Sequence, residues 1–256
     1  TIHLLMMILM STINMAFISR TGNQDLITGL GLATTWLYST TVFAMETLNM
    51  GTIVYCSTAY GAEQHKLVGL YFHKSIFIRC IVLVPCITLI CLAYYIFQLL
   101  GVAEGVVDAA ATYLLYGIPF IILMTLFNVC KYFVIAHGLF IPVLILQCTI
   151  TACHFGFCAL FVAHLDLGLP GAAISMAVSF GIGLILILGY LALSQEFKKT
   201  FFIFEQESIK DLWGQFKNEF FVAAPYYLEW LALEIYTLIA AAHFVGDQLT
   251  AWVIMY

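Results

Sequence analysis

Glu229 and Glu234 are two carboxylates in the run 223–240, which is otherwise apolar enough to enter a bilayer. An ionisable side chain near the middle of a membrane-spanning helix costs about 2.5–3.5 kcal/mol, so two so close together imply a water-filled cavity, a proton site or a cationic ligand. At about 100° per residue they project about 140° apart and do not form one stripe, so one is expected to face a central cavity and the other the interior of its helix bundle. Trp230 and Glu234 are one turn apart and share a face. An aromatic surface beside a negative charge suits a flat organic cation, through cation–π attraction and ion pairing. Burial disfavours the charged form of a carboxyl. Such a group can hold a proton or a cation, but not both at full strength, and that competition is the elementary requirement of antiport. The alternative is structural: both acids bond to Tyr226, Tyr227, Tyr236 or a backbone carbonyl and tie helices together.

Two further polar residues stand in apolar runs. Glu46 is a weaker candidate for binding substrate or ion, with Thr40, Thr41 and Asn49 as local polar company. His154, in the middle of another apolar segment, is either a hydrogen-bonded packing residue or a proton relay. Lys131, near the end of its segment, is expected to snorkel to the interface as an orientation anchor. The eight cysteines show no paired Cys-x-x-Cys spacing and lie mostly in apolar runs, so they are read as small apolar fillers with no metal site.

The elements that carry these residues are membrane spans. The chain is 63% hydrophobic and 9% charged over 256 residues, against about 45–50% and 25% in a soluble domain. Runs long enough to cross a hydrocarbon core of about 30 Å fall at 2–18, 26–60, 75–100, 106–136, 139–163, 170–193 and 220–244, and an eighth begins at 249. Every basic residue except Arg20 lies on one side: Lys66, Lys74 and Arg79 after the second run, Lys131 closing the fourth, and Lys198, Lys199, Lys210 and Lys217 after the sixth. The opposite side holds Asp25, Glu104, Asp108, Asp166 and Asp247. The basic side is therefore cytoplasmic. A net charge of −5 speaks against nucleic acid as a partner.

The polar stretch 194–218 is expected to form an amphipathic helix at the cytoplasmic surface, with Ile209, Leu212, Trp213, Phe216 and Phe220 at helical spacing. It divides a six-helix unit, 1–193, from the start of a second, 219–256. Asp25-Leu26-Ile27-Thr28 resembles Asp247-Gln248-Leu249-Thr250 at the corresponding place of the second unit, a faint parallel repeat of the kind transporters use. Pro85, Pro119 and Pro225 fall inside expected helices, where each loses a backbone hydrogen bond and acts as a hinge or a static kink. The chain opens on Thr1 and stops at Tyr256, each within an apolar run, and reads as a fragment.

Three motifs suggest a family. Tyr55-Cys56-Ser57-Thr58-Ala59-Tyr60-Gly61-Ala62 resembles the Leu-Cys-Gly-Gln-Ala-Tyr-Gly-Ala motif of eukaryotic multidrug and toxic compound extrusion (MATE) transporters. Leu228-Glu229-Trp230-Leu231-Ala232-Leu233-Glu234 resembles the Leu-Glu-Trp-Trp-Ser-Phe-Glu of their seventh helix, and Gly168–Ser175 looks like the start of their sixth. The chain departs from the pattern at Ile53, where an acid is usual, at Ser57-Thr58, at Leu231, and in the shorter distance from Pro225 to Glu229. Glu46, two turns before Ile53, partly substitutes for the missing acid.

The resemblance implies an all-α polytopic membrane protein: a six-helix N-lobe plus the first one to two helices of a second lobe of a twelve-helix transporter. It also implies export of organic cations or other amphipathic compounds in exchange for H⁺ or Na⁺ by alternating access. Its partners are then a small-molecule substrate and the bilayer, and the complete protein is expected to be a monomer in the plasma or vacuolar membrane. No cofactor is implied beyond the coupling ion. A lipid or polysaccharide flippase shares the architecture but is expected to line its cavity with Arg and Lys. A seven-helix receptor conflicts with a cytoplasmic N-terminus, and an intramembrane enzyme lacks a His-Glu-x-x-His, Gly-x-Ser-x-Gly or aspartate-rich motif.

Overall fold

With no water in a bilayer to pair backbone N–H and C=O groups, a chain this apolar must satisfy them within helices. A computed structural model describes the backbone of residues 2–202 and 204–243, and the side chains of 5–202, 204–226, 228, 229 and 232. Its helices are α1 (Ile2–Ser19), α2 (Gln24–Leu37), α3 (Phe43–Gly61), α4 (His65–Leu99), α5 (Glu104–Ala136), α6 (Phe140–Cys158), α7 (Gly168–Leu193) and α8 (Leu212–His243). A π-helical turn, Tyr38–Val42, joins α2 and α3 into one rod, and another, Ala159–His164, extends α6. Such turns leave carbonyls off the regular ladder; that of Thr40 lies 3.5 Å from the Cys86 thiol of α4.

Local chemistry sets the ends. Asn23 caps α2 by accepting from the backbone N–H of Asp25 at 3.0 Å, and Asp25 adds negative charge to the first turn. Gly138, at φ +80°, closes the turn between α5 and α6, where a Cβ would be strained.

The core gathers around α5. Two-thirds of its most apolar window is buried, against a third for α4, α6 and α7, because α5 packs against α2, α3, α4 and α7 at once. Phe72, Phe97, Phe127, Phe133 and Phe180 are among its fully buried neighbours and residues. Helices α4, α5, α6 with its π turn, and α7 are each long and apolar enough to cross a membrane.

The expected segments reappear with two differences. Helix α4 starts at His65 and not near residue 75: hydropathy reports only the part apolar enough for lipid, and nothing in 65–74 breaks a helix, so it continues past that part. The stretch 194–218 is not one amphipathic helix. It consists of short 3₁₀ turns, Gln195–Phe197 and Gln206–Ile209, followed by the start of α8. Phe197 and Thr200 are buried against the α5–α6 turn, and at the start of α8 the apolar Trp213, Phe220 and Phe221 face outward while Gln215 and Glu219 face in. The eighth run and the tetrapeptide at 247–250 lie outside the described residues.

Candidate functional site

Glu229 projects from α8, exposed, as are Tyr226 and Leu228 beside it. Ala223 is the last buried side chain of α8 among the described residues, and Glu229 lies six residues beyond it. The side chains of Trp230 and Glu234 lie outside the described residues.

Glu46, on α3, is half-buried. Helix α5 supplies it with polar company: Asn128 Nδ2 donates to one carboxylate oxygen at 2.7 Å and the Tyr132 hydroxyl donates to the other at 2.5 Å. The Thr40 hydroxyl donates back to the Trp36 carbonyl at 2.7 Å. Lys131 does not snorkel. It is fully buried in α5, with Nζ 4.7 Å from the centre of the Tyr132 ring and 5.9 Å from that of Phe127, and Nζ has no hydrogen-bond acceptor among the described residues. Its neighbours on α5 turn it inward, where aromatic faces and the field of Glu46 take the place of water.

His154, fully buried on α6, belongs to a polar thread through four helices. Its Nε2 lies 3.4 Å from Cys158 Sγ and its Nδ1 3.4 Å from Ser179 Oγ of α7. Cys158 Sγ donates to Asn14 Oδ1 of α1 at 3.2 Å, and Asn14 Nδ2 donates to the Tyr113 hydroxyl of α5 at 3.3 Å. These contacts tie α6 to α7 and, through Cys158, to α1 and α5.

A third cluster was hidden in the sequence. Arg79 of α4 and Glu219 of α8 form an ion pair at 2.5 Å with both side chains fully buried. Ser75 Oγ and Gln215 Nε2 donate to the second carboxylate oxygen at 2.7 and 2.8 Å. Arg79 Nη2 donates to Thr52 Oγ1 of α3 at 2.6 Å, and Thr52 donates to Ser75 at 3.1 Å. In the sequence Arg79 follows Lys66 and Lys74 and reads with them as a charge flanking the span. The available signal was its place inside the apolar run 75–100, which demands an acidic partner.

Compared with known proteins, residues 1–160 match the family model described as MatE. The chain is 27% identical over 198 residues to Protein DETOXIFICATION 17 of Arabidopsis thaliana, covering 77% of this chain and 40% of that protein. It is 29% identical over 200 residues to Protein DETOXIFICATION 3 of the same plant, covering 76% and 40%. The chain thus spans about two-fifths of the length of these curated relatives. Its fold resembles the crystal structure of the eukaryotic MATE transporter AtDTX14, with TM-score 0.85, 20% identity and coverage of 92% of this chain and 52% of that one. It also resembles the Vibrio cholerae MATE transporter VcmN in the bent form, with TM-score 0.84, 19% identity and coverage of 98% and 57%.

Proposed function

The chain belongs to the MatE family and is an integral, multi-pass membrane protein, and from that premise we propose that it serves a secondary active exporter of organic cations. In this reading a cation leaves the cytoplasm in exchange for H⁺ or Na⁺, by alternating access between two lobes of six helices. The observation that carries it is the position of Glu229: a carboxylate in an apolar helix, exposed beyond the last buried turn of α8. Packing of the N-lobe does not consume its charge, and in this reading the charge meets a mobile ligand between the two lobes. A coupling ion arriving from outside displaces the cation, and the cation arriving from the cytoplasm displaces the ion. Glu234, with Trp230, supplies a second carboxylate and an aromatic face. Glu46 and His154 are secondary polar stations within the N-lobe.

A flippase of the same architecture needs open positive charge. The two buried cations described in the N-lobe are committed elsewhere: Arg79 to Glu219, and Lys131 to the rings of Tyr132 and Phe127. This favours a cationic load.

The test is efflux of a fluorescent organic cation from proteoliposomes containing the full-length protein, driven by an imposed pH or Na⁺ gradient. Glu229→Gln and Glu234→Gln are expected to reduce gradient-driven exchange by about 10²-fold or more, since each removes a charge for which the cation and the coupling ion compete. Normal exchange in both variants, or no flux in the wild type under either gradient, overturns the reading.

A further inference from the structure

The Arg79–Glu219 pair poses an energetic question. A buried ion pair is commonly no more stabilising than well-packed apolar side chains of the same volume, because desolvation offsets the Coulomb attraction; its best-attested use is to fix one register among several. The first turns of α8 have little else to fix theirs. Trp213, Phe220 and Phe221 are 67%, 53% and 70% exposed, and among the described apolar side chains of α8 the small Ala223 alone is fully buried, so apolar packing by itself holds the rotation of the helix weakly. The polar face does: Gln215 and Glu219 reach Ser75 and Arg79 of α4, and Arg79 in turn holds Thr52 of α3. Gly51 makes this possible, since a Cβ there would stand 2.8 Å from the Glu219 Cα. Three helices therefore meet at one carboxylate, with no tolerance for a slipped or rotated α8.

Glu229 follows Glu219 by nearly three turns, about 15 Å along the axis and about 80° around it. A helix whose Glu219 is locked against α3 and α4 must present Glu229 on its flank, which is where Glu229 is exposed. Pro225 lies between them and loosens the ladder past the lock, not at it. We propose that Arg79 is a positioning residue: through Glu219 it sets the rotation and depth of α8, and thereby presents Glu229 to the space in which a cation or coupling ion binds. The inference rests on the reading of Glu229 as a ligand-binding carboxylate.

The experiment follows Glu229 directly. Full-length protein in proteoliposomes is treated with a lipophilic carbodiimide across a pH series, and modification of Glu229 is quantified by peptide mass spectrometry. KM and kcat for the fluorescent cation are measured on the same preparations. In Arg79→Gln the pH midpoint of modification is expected to move, and KM to rise about tenfold, equivalent to about 1.4 kcal/mol, with kcat changing less. The charge-reversed pair Arg79→Glu with Glu219→Arg is expected to recover both.

A merely structural role predicts loss of folded protein with an unchanged midpoint and KM, and that result overturns the proposal. If Arg79→Gln does not fold, Arg79→Met with Glu219→Leu removes both charges without stranding either; an unchanged midpoint in that variant also overturns it. A midpoint that moves in the Arg79 variants while the wild type carries no cation supports the positioning role and rejects cation export. Cation transport that keeps its KM and modification midpoint in Arg79→Gln rejects the positioning role alone.

Discussion

Glu46 and Lys131 show what a sequence reveals about a single residue and what it withholds. A carboxylate in an apolar run announces that it needs partners, but Asn128 and Tyr132 are supplied by α5, more than eighty positions away. No local spacing encodes that contact. Lys131 misleads for the opposite reason: its place near a helix end suits snorkelling, yet the lobe packs around it from every side. With Nζ fully buried and lacking an acceptor among the described residues, its charge is balanced by ring faces and by Glu46. Each should therefore be costly to remove alone. Glu46→Gln and Lys131→Met are each expected to lower stability by about 1–3 kcal/mol, less than a fully buried pair because Glu46 is only half-buried. The double variant should lose less than the sum, giving a coupling of about 1 kcal/mol in thermal unfolding of the purified protein. Strict additivity would mean that the two charges do not feel each other. His154 is simpler: its mid-segment position predicted a hydrogen-bonded residue, and Cys158, Ser179 and, beyond them, Asn14 and Tyr113 form that network.

Elements were more legible than residues, because helix formation in lipid is compulsory and hydropathy reports it directly. Both departures occur where the chain leaves the lipid. Hydropathy cannot see that α4 continues to His65, and helical spacing cannot tell that Trp213 and Phe220 face outward while Glu219 faces in, since that inversion depends on Arg79 of a distant helix. The segment after α7 is another such case. It docks through Phe197 and Thr200 on His137, at the α5–α6 turn. His137 Nδ1 donates to the Phe133 carbonyl at 2.8 Å and Nε2 lies 3.0 Å from Thr200 Oγ1. Burial pushes this imidazole below its ordinary range, against the upward pull of the Phe133 carbonyl and Glu196 and with a further downward push from His65. The undocked form, with His137 in water, then binds more protons than the docked form at any pH between the lowered value and about 6.5. Docking stability must fall as pH drops through that window and level off below it. Hydrogen exchange over 195–202 should accelerate from pH 7.5 to pH 5 beyond its intrinsic pH dependence, and His137→Gln should remove the excess. Equal protection across the series would exclude His137 as its cause.

At the scale of the molecule, the alternation of charge along the sequence becomes a difference between two ends. Asp25, Asp108 and Asp166 line one mouth, between the start of α2, the start of α5 and the turn before α7. At the other end Lys66 meets Glu205 and Glu207 at 3.0 and 3.2 Å, and Lys198, Lys199, Lys210 and Lys217 are exposed nearby in sequence on the segment that docks there. An odd–even rule applied to loops thus matches a physical polarity of the folded lobe, although the rule used no contacts. The surface ion pairs of Lys66 contribute little to stability, since both partners are solvated; their consequence is orientation. Lys and Arg beside a span are retained on the cytoplasmic side during insertion, so the end carrying Lys66 and Lys199 is expected inside and the aspartate mouth outside. In right-side-out vesicles bearing the full-length protein on a cysteine-free background, Asn23→Cys should react with a membrane-impermeant maleimide at once. Lys199→Cys should react only after permeabilisation. The reverse pattern would invert the lobe, place Glu229 on a helix entering from the opposite side, and require the coupling ion and the exported cation to exchange directions.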